Sequence, residues 1–117
     1  MEIQTDDQFE GRLGVVDATQ IYKVTNGKEI WKTCPENAAF AATNGWAGRV
    51  FGNERLGGLI KSGDVLFIDL DYNRDQITFS SEKGRESVSG IIKPGVHSLR
   101  FIAEFAHCSY TTISFIS

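Results

Sequence analysis

Residues 63–81 read GDVLFIDLDYNRDQITFSS, and this stretch decides the fold class of the chain. Apolar side chains recur at every second position in its first half: Leu66, Ile68, Leu70 and Tyr72. A polar turn follows at residues 73–75, and Ile77 and Phe79 then resume the alternation. A period of two places these side chains on one face of a strand. The stretch therefore predicts a β-hairpin with one face buried in a core.

The rest of the chain repeats short apolar alternations between turn signals. Asn26-Gly27 and Asn44-Gly45 are dipeptides that favour tight turns. Residues 33–47 are expected to form a long loop, with one helical turn as the alternative, that enters a strand near Phe40. Further strands are expected at residues 2–6, 12–16, 21–24, 29–32, 49–51, 88–92, 97–106 and 113–115. About ten short strands without a long helix predict a single all-β domain over residues 1–117, an antiparallel β-sandwich.

Four short motifs resemble those of the SPRY family, and they fall in the family's order along nearly the whole chain: Leu13-Gly14-Val15, Gly63-Asp64-Val65, Ile77-Thr78-Phe79 and Ile113-Ser114-Phe115. Residues 1–3 stand where the family has a Trp-Glu-Val-like strand, so a minimal or truncated member is expected, with one sheet edge open. The resemblance implies a concanavalin-like jelly roll of two antiparallel sheets. It also implies a non-catalytic adaptor module that binds peptides or protein surfaces through loops at one end. The chain departs from the family at residues 82–84, where members have an Asn-Gly turn.

Composition narrows the class of partner. Of the 117 residues, 41% are apolar, which is enough for a core without metals or crosslinks. The net charge is −3 and the twelve Lys and Arg residues are scattered, so no nucleic-acid or membrane partner is expected. No apolar run approaches the roughly 20 residues of a membrane span. The acidic residues 1–7 do not resemble a signal peptide, so a cytoplasmic protein is expected. Whether Cys34 and Cys108 are bridged stays open.

Candidate chemical groups favour structural roles over catalysis. Asp69 and Asp71 share one face of a strand, where they are expected to be solvated and to cap the hairpin turn. His107 and Cys108 are adjacent in sequence, so on a strand they would point to opposite faces and could not easily share a metal. The glycine-rich loop at residues 53–58 lacks the helix and Lys-Ser pair of a phosphate cradle. We therefore expect no enzymatic activity, no metal and no cofactor.

The predicted binding surface combines three loops at one end of the sandwich, at residues 17–22, 33–46 and 82–85, because loops on a rigid scaffold carry recognition. Aromatic anchors and charged groups are the expected contact residues: Tyr22, Trp46, Arg49, Arg55 and Glu82. A protein or short peptide is the expected partner. Two alternatives stay open. Trp46 could stack on a carbohydrate in a lectin-like sandwich, or the chain could be a structural subunit that assembles through its sheet edge.

Overall fold

The computed structural model describes residues 1–19, 35–54, 58–61, 63–83, 87–105 and 113–116. Most of these residues belong to ten β-strands: β1 (Glu2–Thr5), β2 (Gly11–Asp17), β3 (Ala38–Ala42), β4 (Arg49–Val50), β5 (Asn53–Glu54), β6 (Val65–Asp71), β7 (Gln76–Ser81), β8 (Ser87–Ile91), β9 (Leu99–Phe105) and β10 (Ile113–Ile116). A 3-10 turn at Pro35–Asn37 precedes β3. In the part of the chain that is described, no helix is long and apolar enough to cross a membrane.

The strands form two five-stranded sheets. Sheet A has the order β10-β1-β6-β7-β8, and sheet B has the order β5-β4-β3-β2-β9. Every pairing between neighbouring strands is antiparallel. The predicted all-β class is therefore confirmed. The predicted hairpin at residues 63–81 is β6 and β7, with Ile68 opposite Phe79.

One apolar core draws side chains from both sheets. The largest contributors from sheet A are Ile3, Leu66, Ile68, Ile77 and Phe79, and those from sheet B include Leu13, Val15, Ala39 and Ala41. The predicted alternation along the hairpin is thus confirmed at its buried positions. It was wrong at Leu70 and Tyr72, which are 37% and 48% exposed. Strand β6 continues past the last core position at Ile68, so its outer part carries apolar residues into solvent.

Strands β2 and β3 are buried on both faces, and the sequence pattern did not predict this. Val16 and Phe40 point away from the shared core and are nevertheless fully buried. Arg12 and Gly14, which alternate with the core residues Leu13 and Val15, are buried as well. A Cβ atom at Gly14 would lie 1.9 Å from the carbonyl oxygen of Ala39, so only glycine fits there. This close approach holds β2 and β3 together in the middle of sheet B.

Most of the predicted strands are found with small shifts at their ends. The strand expected near Phe40 is β3, and the one expected at residues 97–106 begins only at Leu99. The two-residue strand β5 was not predicted. The strands expected at 21–24 and 29–32 lie outside the described residues.

A buried aspartate, through its carboxylate and its backbone oxygen, joins three strands of sheet A where β6 begins. Asp64 is 1% exposed. Its Oδ1 accepts hydrogen bonds from the backbone N–H groups of Val65 (2.7 Å) and Lys83 (2.9 Å), and its Oδ2 accepts one from the hydroxyl of Ser81. Its backbone oxygen accepts both the N–H (2.9 Å) and the hydroxyl (2.8 Å) of Thr5. Asp64 therefore fixes β1 and β7 against the start of β6.

Replacing Asp64 with Ala should destabilise the protein by about 3 kcal/mol, because buried donors that served a carboxylate lose their acceptor. Urea denaturation followed by circular dichroism measures this change. The matched control is Asp69→Ala, since Asp69 lies on β6, the strand that follows Asp64, and is exposed. A loss at Asp64 no larger than the loss at Asp69 would show that the carboxylate does not join the strands.

Candidate functional site

The turn at residues 43–46 is fixed firmly to the start of β2. The N–H of Thr43 donates to the carbonyl of Gly11 (3.0 Å), and the N–H of Gly11 donates to the hydroxyl of Thr43 (3.0 Å). The N–H of Trp46 closes the turn by donating to the carbonyl of Thr43 (3.0 Å). Gly45 has a φ of 88°, which favours glycine, so the turn predicted from Asn44-Gly45 is confirmed.

Trp46 lies over a buried arginine. The guanidinium carbon of Arg12 is 4.7 Å from the centroid of the Trp46 ring, a distance at which the cation is attracted to the aromatic face. Arg12 also donates through Nε to the carbonyl of Ala47 (2.8 Å). Its Nη1 donates to Oε2 of Glu104 (2.8 Å). The indole of Trp46 therefore packs on the Arg12 guanidinium, which is itself fixed by its hydrogen bonds to Ala47 and Glu104.

Strand register explains why Arg12 and Glu104 meet. The two residues are direct partners in the antiparallel pairing of β2 with β9, so their side chains share the face of sheet B that points away from the core. Their side chains are only 4% and 14% exposed. The second carboxylate oxygen of Glu104, Oε1, is buried and has no hydrogen-bond partner among the described residues. Burying an acceptor without a hydrogen bond lowers the stability of the fold, and this oxygen lies in the same cluster as Trp46.

A polar cleft of about 600 Å³ opens beside the same turn. Its described walls come from the end of β3 and from two neighbouring segments: Glu10, Thr43, Asn44, Gly58, Ile60 and Lys61. Thr43 and Ile60 form a β-bridge that joins two of these segments. Because both a carboxylate and an ammonium group line it, the cleft can bind donors and acceptors of a peptide backbone as well as side chains of either charge.

The structure brings two of the predicted site residues to one end of the molecule. Trp46 follows β3, and Glu82 follows β7 in an exposed turn, where its N–H donates to the carbonyl of Val65 (3.0 Å). The turn that holds Trp46 is bonded to the start of β2, and Glu82 is bonded to the start of β6, which pairs with the end of β1. Residues 6–10 connect the end of β1 to the start of β2, so Trp46 and Glu82 lie at the same end of the sheets. Arg49 lies within β4, opposite Phe40, and is 9% exposed, so it offers little surface to a partner. Tyr22 and Arg55 lie outside the described residues.

The described parts of the three predicted loops do not lie at one end, so the prediction of a shared end was wrong for these residues. Asp17 ends β2, whereas the turn at residues 43–46 packs against the beginning of β2. A seven-residue strand is about 20 Å long. Asp17 instead stabilises its own turn, because its Oδ1 accepts the N–H of Thr19 (3.0 Å) and the Thr19 hydroxyl (2.8 Å).

Sequence reasoning missed Arg12 and Glu104. Alternation along a strand cannot by itself show that the second face is buried. The available signal was a pair of opposite charges on strands that are otherwise rich in apolar residues. Recognising it would have required knowing that β2 pairs with β9, two strands separated by more than 80 residues.

The candidate catalytic and metal-binding groups that the structure describes have structural or solvent-exposed positions. Asp71 caps the hairpin turn as expected, since its Oδ1 accepts the N–H groups of Asn73 (3.1 Å) and Arg74 (3.3 Å). His97 is exposed. Among the described residues, no three His, Cys, Asp or Glu side chains are grouped to hold a metal ion. Cys34, His107 and Cys108 lie outside the described residues.

Comparison of the chain with protein-family models, with characterised proteins and with solved structures finds no match. The cluster of Trp46, Arg12 and Glu104, together with the cleft beside it, is the candidate site at this end.

Replacing Arg12 with Met should destabilise the protein by about 3 kcal/mol or more, because the Glu104 carboxylate is left buried without its cation. The double variant Arg12→Met/Glu104→Leu should recover most of that loss, since it removes both charges. Urea denaturation of the two variants measures the difference.

The matched control for this pair is Arg74→Met. Arg74 lies 3.8 Å from Asp71 in an exposed ion pair, so its removal should change stability by less than about 0.5 kcal/mol. A double variant as unstable as Arg12→Met alone would show that Arg12 acts through its packing and not through its charge.

Proposed function

We propose that this chain is a non-catalytic recognition module with a SPRY-like β-sandwich fold. It binds a protein or short peptide at the end of the sheets that carries Trp46. The observation that carries the proposal is the partly exposed indole of Trp46, fixed over the Arg12 guanidinium beside a polar cleft.

The sandwich arrangement is supported by the single core that draws on both sheets. In a β-sandwich the inner faces of two antiparallel sheets pack together, and each strand alternates inward and outward residues. The inward positions of β2 and β6 follow this alternation at Leu13, Val15, Leu66 and Ile68. The SPRY resemblance is supported by the positions of its motifs, because residues 63–65 open the central hairpin and residues 113–115 lie in the closing strand.

Peptide recognition is supported by the shape and chemistry of this end. An aromatic ring that is already positioned contributes contact area to a partner at little cost in entropy. The cleft volume of about 600 Å³ lies in the range of pockets that hold small ligands or side chains. Glu10 and Lys61 are exposed at its walls and can pair with charges of either sign on a partner.

The Trp46→Ala variant should lose binding to peptides selected on the wild-type protein, with a fall in stability of only about 1–2 kcal/mol, the scale of a lost cation–π contact and a half-buried ring. A random peptide display library supplies the ligands, and calorimetry measures their affinity for each variant. Tyr72→Ala is the matched control, because Tyr72 is an exposed aromatic residue on the central hairpin, away from the turn at 43–46.

Three results would contradict the proposal. Selected peptides could bind the Trp46 and Tyr72 variants equally well. A fall of about 4 kcal/mol in stability would make Trp46 a core residue, on the scale of a large buried truncation. A fluorescence titration with simple sugars that responds in wild type and not in Trp46→Ala would favour the lectin-like alternative.

A further inference from the structure

We propose that the outer edge of β8 and the cleft beside it bind an extended peptide segment of a partner protein, one that carries an apolar side chain preceded by a carboxylate. This site is separate from the turn at residues 43–46. Its wall residue Phe51 donates its N–H to the carbonyl of Ala38 (2.8 Å), at the opposite end of β3 from that turn. The inference therefore goes beyond the function proposed above.

The edge of β8 is available for pairing. It is the last strand of sheet A, and none of the other described strands pairs with its outer edge. The N–H of Ile92, just past the strand, donates to the carbonyl of Asp75 (2.7 Å). The even-numbered residues of β8, Val88 and Gly90, therefore also direct their backbone groups toward β7. Antiparallel strands alternate between residues that bond to one neighbour and residues that point away from it. The backbone groups that point outward therefore belong to Ser87, Ser89 and Ile91.

In the described ranges of the chain, this edge carries none of the features that prevent pairing in natural sheets. Edge strands are usually blocked by charged side chains, by proline or by a covering segment. The sequence of β8 is SVSGI, without charge or proline. Ile91 is 73% exposed, the highest value among the large apolar side chains described. An added strand would cover part of this side chain while satisfying the outward backbone groups.

A cleft of about 390 Å³ lies next to the edge and gives it side-chain selectivity. Val50, Phe51 and Pro94 form its apolar part. A Cβ atom at Gly90 would lie 2.4 Å from Cγ1 of Val50, so the two sheets come close together here. Residues that face each other in paired strands share a sheet face. A peptide side chain opposite Gly90 would therefore point toward Val50 and Phe51, and an apolar one fits that environment.

The charge of the cleft selects a carboxylate. Lys93 is the charged residue among its described lining residues. Its Nζ donates one hydrogen bond to Oδ1 of Asn37 (3.2 Å), which leaves further N–H groups for a ligand. The N–H of Val96 donates to the carbonyl of Lys93 (3.1 Å), and this turn holds Lys93 just beyond the end of β8. An antiparallel peptide would place its N-terminal part beside Lys93, so the carboxylate precedes the apolar residue.

The test uses NMR titration of the full ¹⁵N-labelled chain with a blocked synthetic peptide. The peptide has a serine and threonine background, one leucine, and aspartates at the second and third positions before it. A twin peptide with lysines in place of the aspartates tests the role of charge. We expect the acidic peptide to shift the resonances of residues 87–93, Val50 and Phe51, and the basic twin to bind at least about tenfold more weakly.

Ser89→Pro removes an outward N–H and leaves the bonds to β7 in place, so it should weaken binding about tenfold or more. Ser89→Ala is the matched control, because it loses the same hydroxyl contact to Thr78 (2.8 Å) and keeps the N–H. Lys93→Glu should reverse the preference between the two peptides. This variant also carries the test if Ser89→Pro does not fold.

Several outcomes would overturn the inference. The acidic peptide could leave the resonances of residues 87–93 unchanged, or Ser89→Pro and Ser89→Ala could bind it equally. Shifts confined to residues 43–46 and 58–61, lost in Trp46→Ala, would assign the peptide to the other end of the molecule. A sedimentation change in the free protein caused by Ser89→Pro would show that a second copy occupies the edge. Library-selected peptides could bind Trp46→Ala normally while the acidic peptide still binds Ser89→Pro more weakly than Ser89→Ala. In that case recognition at the Trp46 end is contradicted and binding at the edge of β8 is supported.

Discussion

The packing of alternate side chains from two sheets into one core is the constraint on which the rest of the structure depends. Phe79, Leu66 and Ile68 project from sheet A, and the small residues Ala39 and Ala41 lie among the core positions of sheet B. Interiors are close-packed, so large side chains on one layer require small ones near them. Each buried Phe, Leu or Ile contributes about 1.5–3 kcal/mol relative to exposure. This core fixes the strand register, and the register decides which polar side chains are buried.

The buried carboxylates of Asp64 and Glu104 differ in how completely they are hydrogen-bonded. Asp64 has partners for both carboxylate oxygens, which is what a purely structural role requires. Glu104 pairs one oxygen with Arg12, and its other oxygen has no partner in the described part of the chain. Proteins tend to violate such local rules at functional sites. The unsatisfied oxygen lies in the cluster that positions Trp46, so the costlier arrangement coincides with the exposed aromatic residue.

The sequence predicted much of the fold because its strongest signal is local. A period of two at residues 63–81 requires only that neighbouring side chains alternate, and β6 and β7 follow it down to the pairing of Ile68 with Phe79. Turn chemistry at Asn44-Gly45 is equally local, and Gly45 has the positive φ that it requires. The burial of Phe40 and Val16 could not be predicted in this way, because it depends on both faces of sheet B being covered. The candidate site was the part least well predicted, because Arg12 and Glu104 become neighbours only through the pairing of strands that are distant in sequence.

The edges of the two sheets differ in how readily they could pair with an added strand. This difference distinguishes recognition through backbone pairing from recognition through side chains. Strand β5 has only two residues, and β9 carries Arg100 and Glu104, so both edges of sheet B resist pairing. At the β10 edge of sheet A, the Phe115 ring is stacked edge-on against Phe101 of β9, with centroids 4.9 Å apart. Strand β8 combines an uncharged sequence with an adjoining cleft. The Trp46 end would select a partner through side chains on a fixed turn, whereas β8 would select it through backbone pairing. The two surfaces lie at opposite ends of β3, since the turn at 43–46 follows this strand and Phe51 is bonded to its first residue, Ala38.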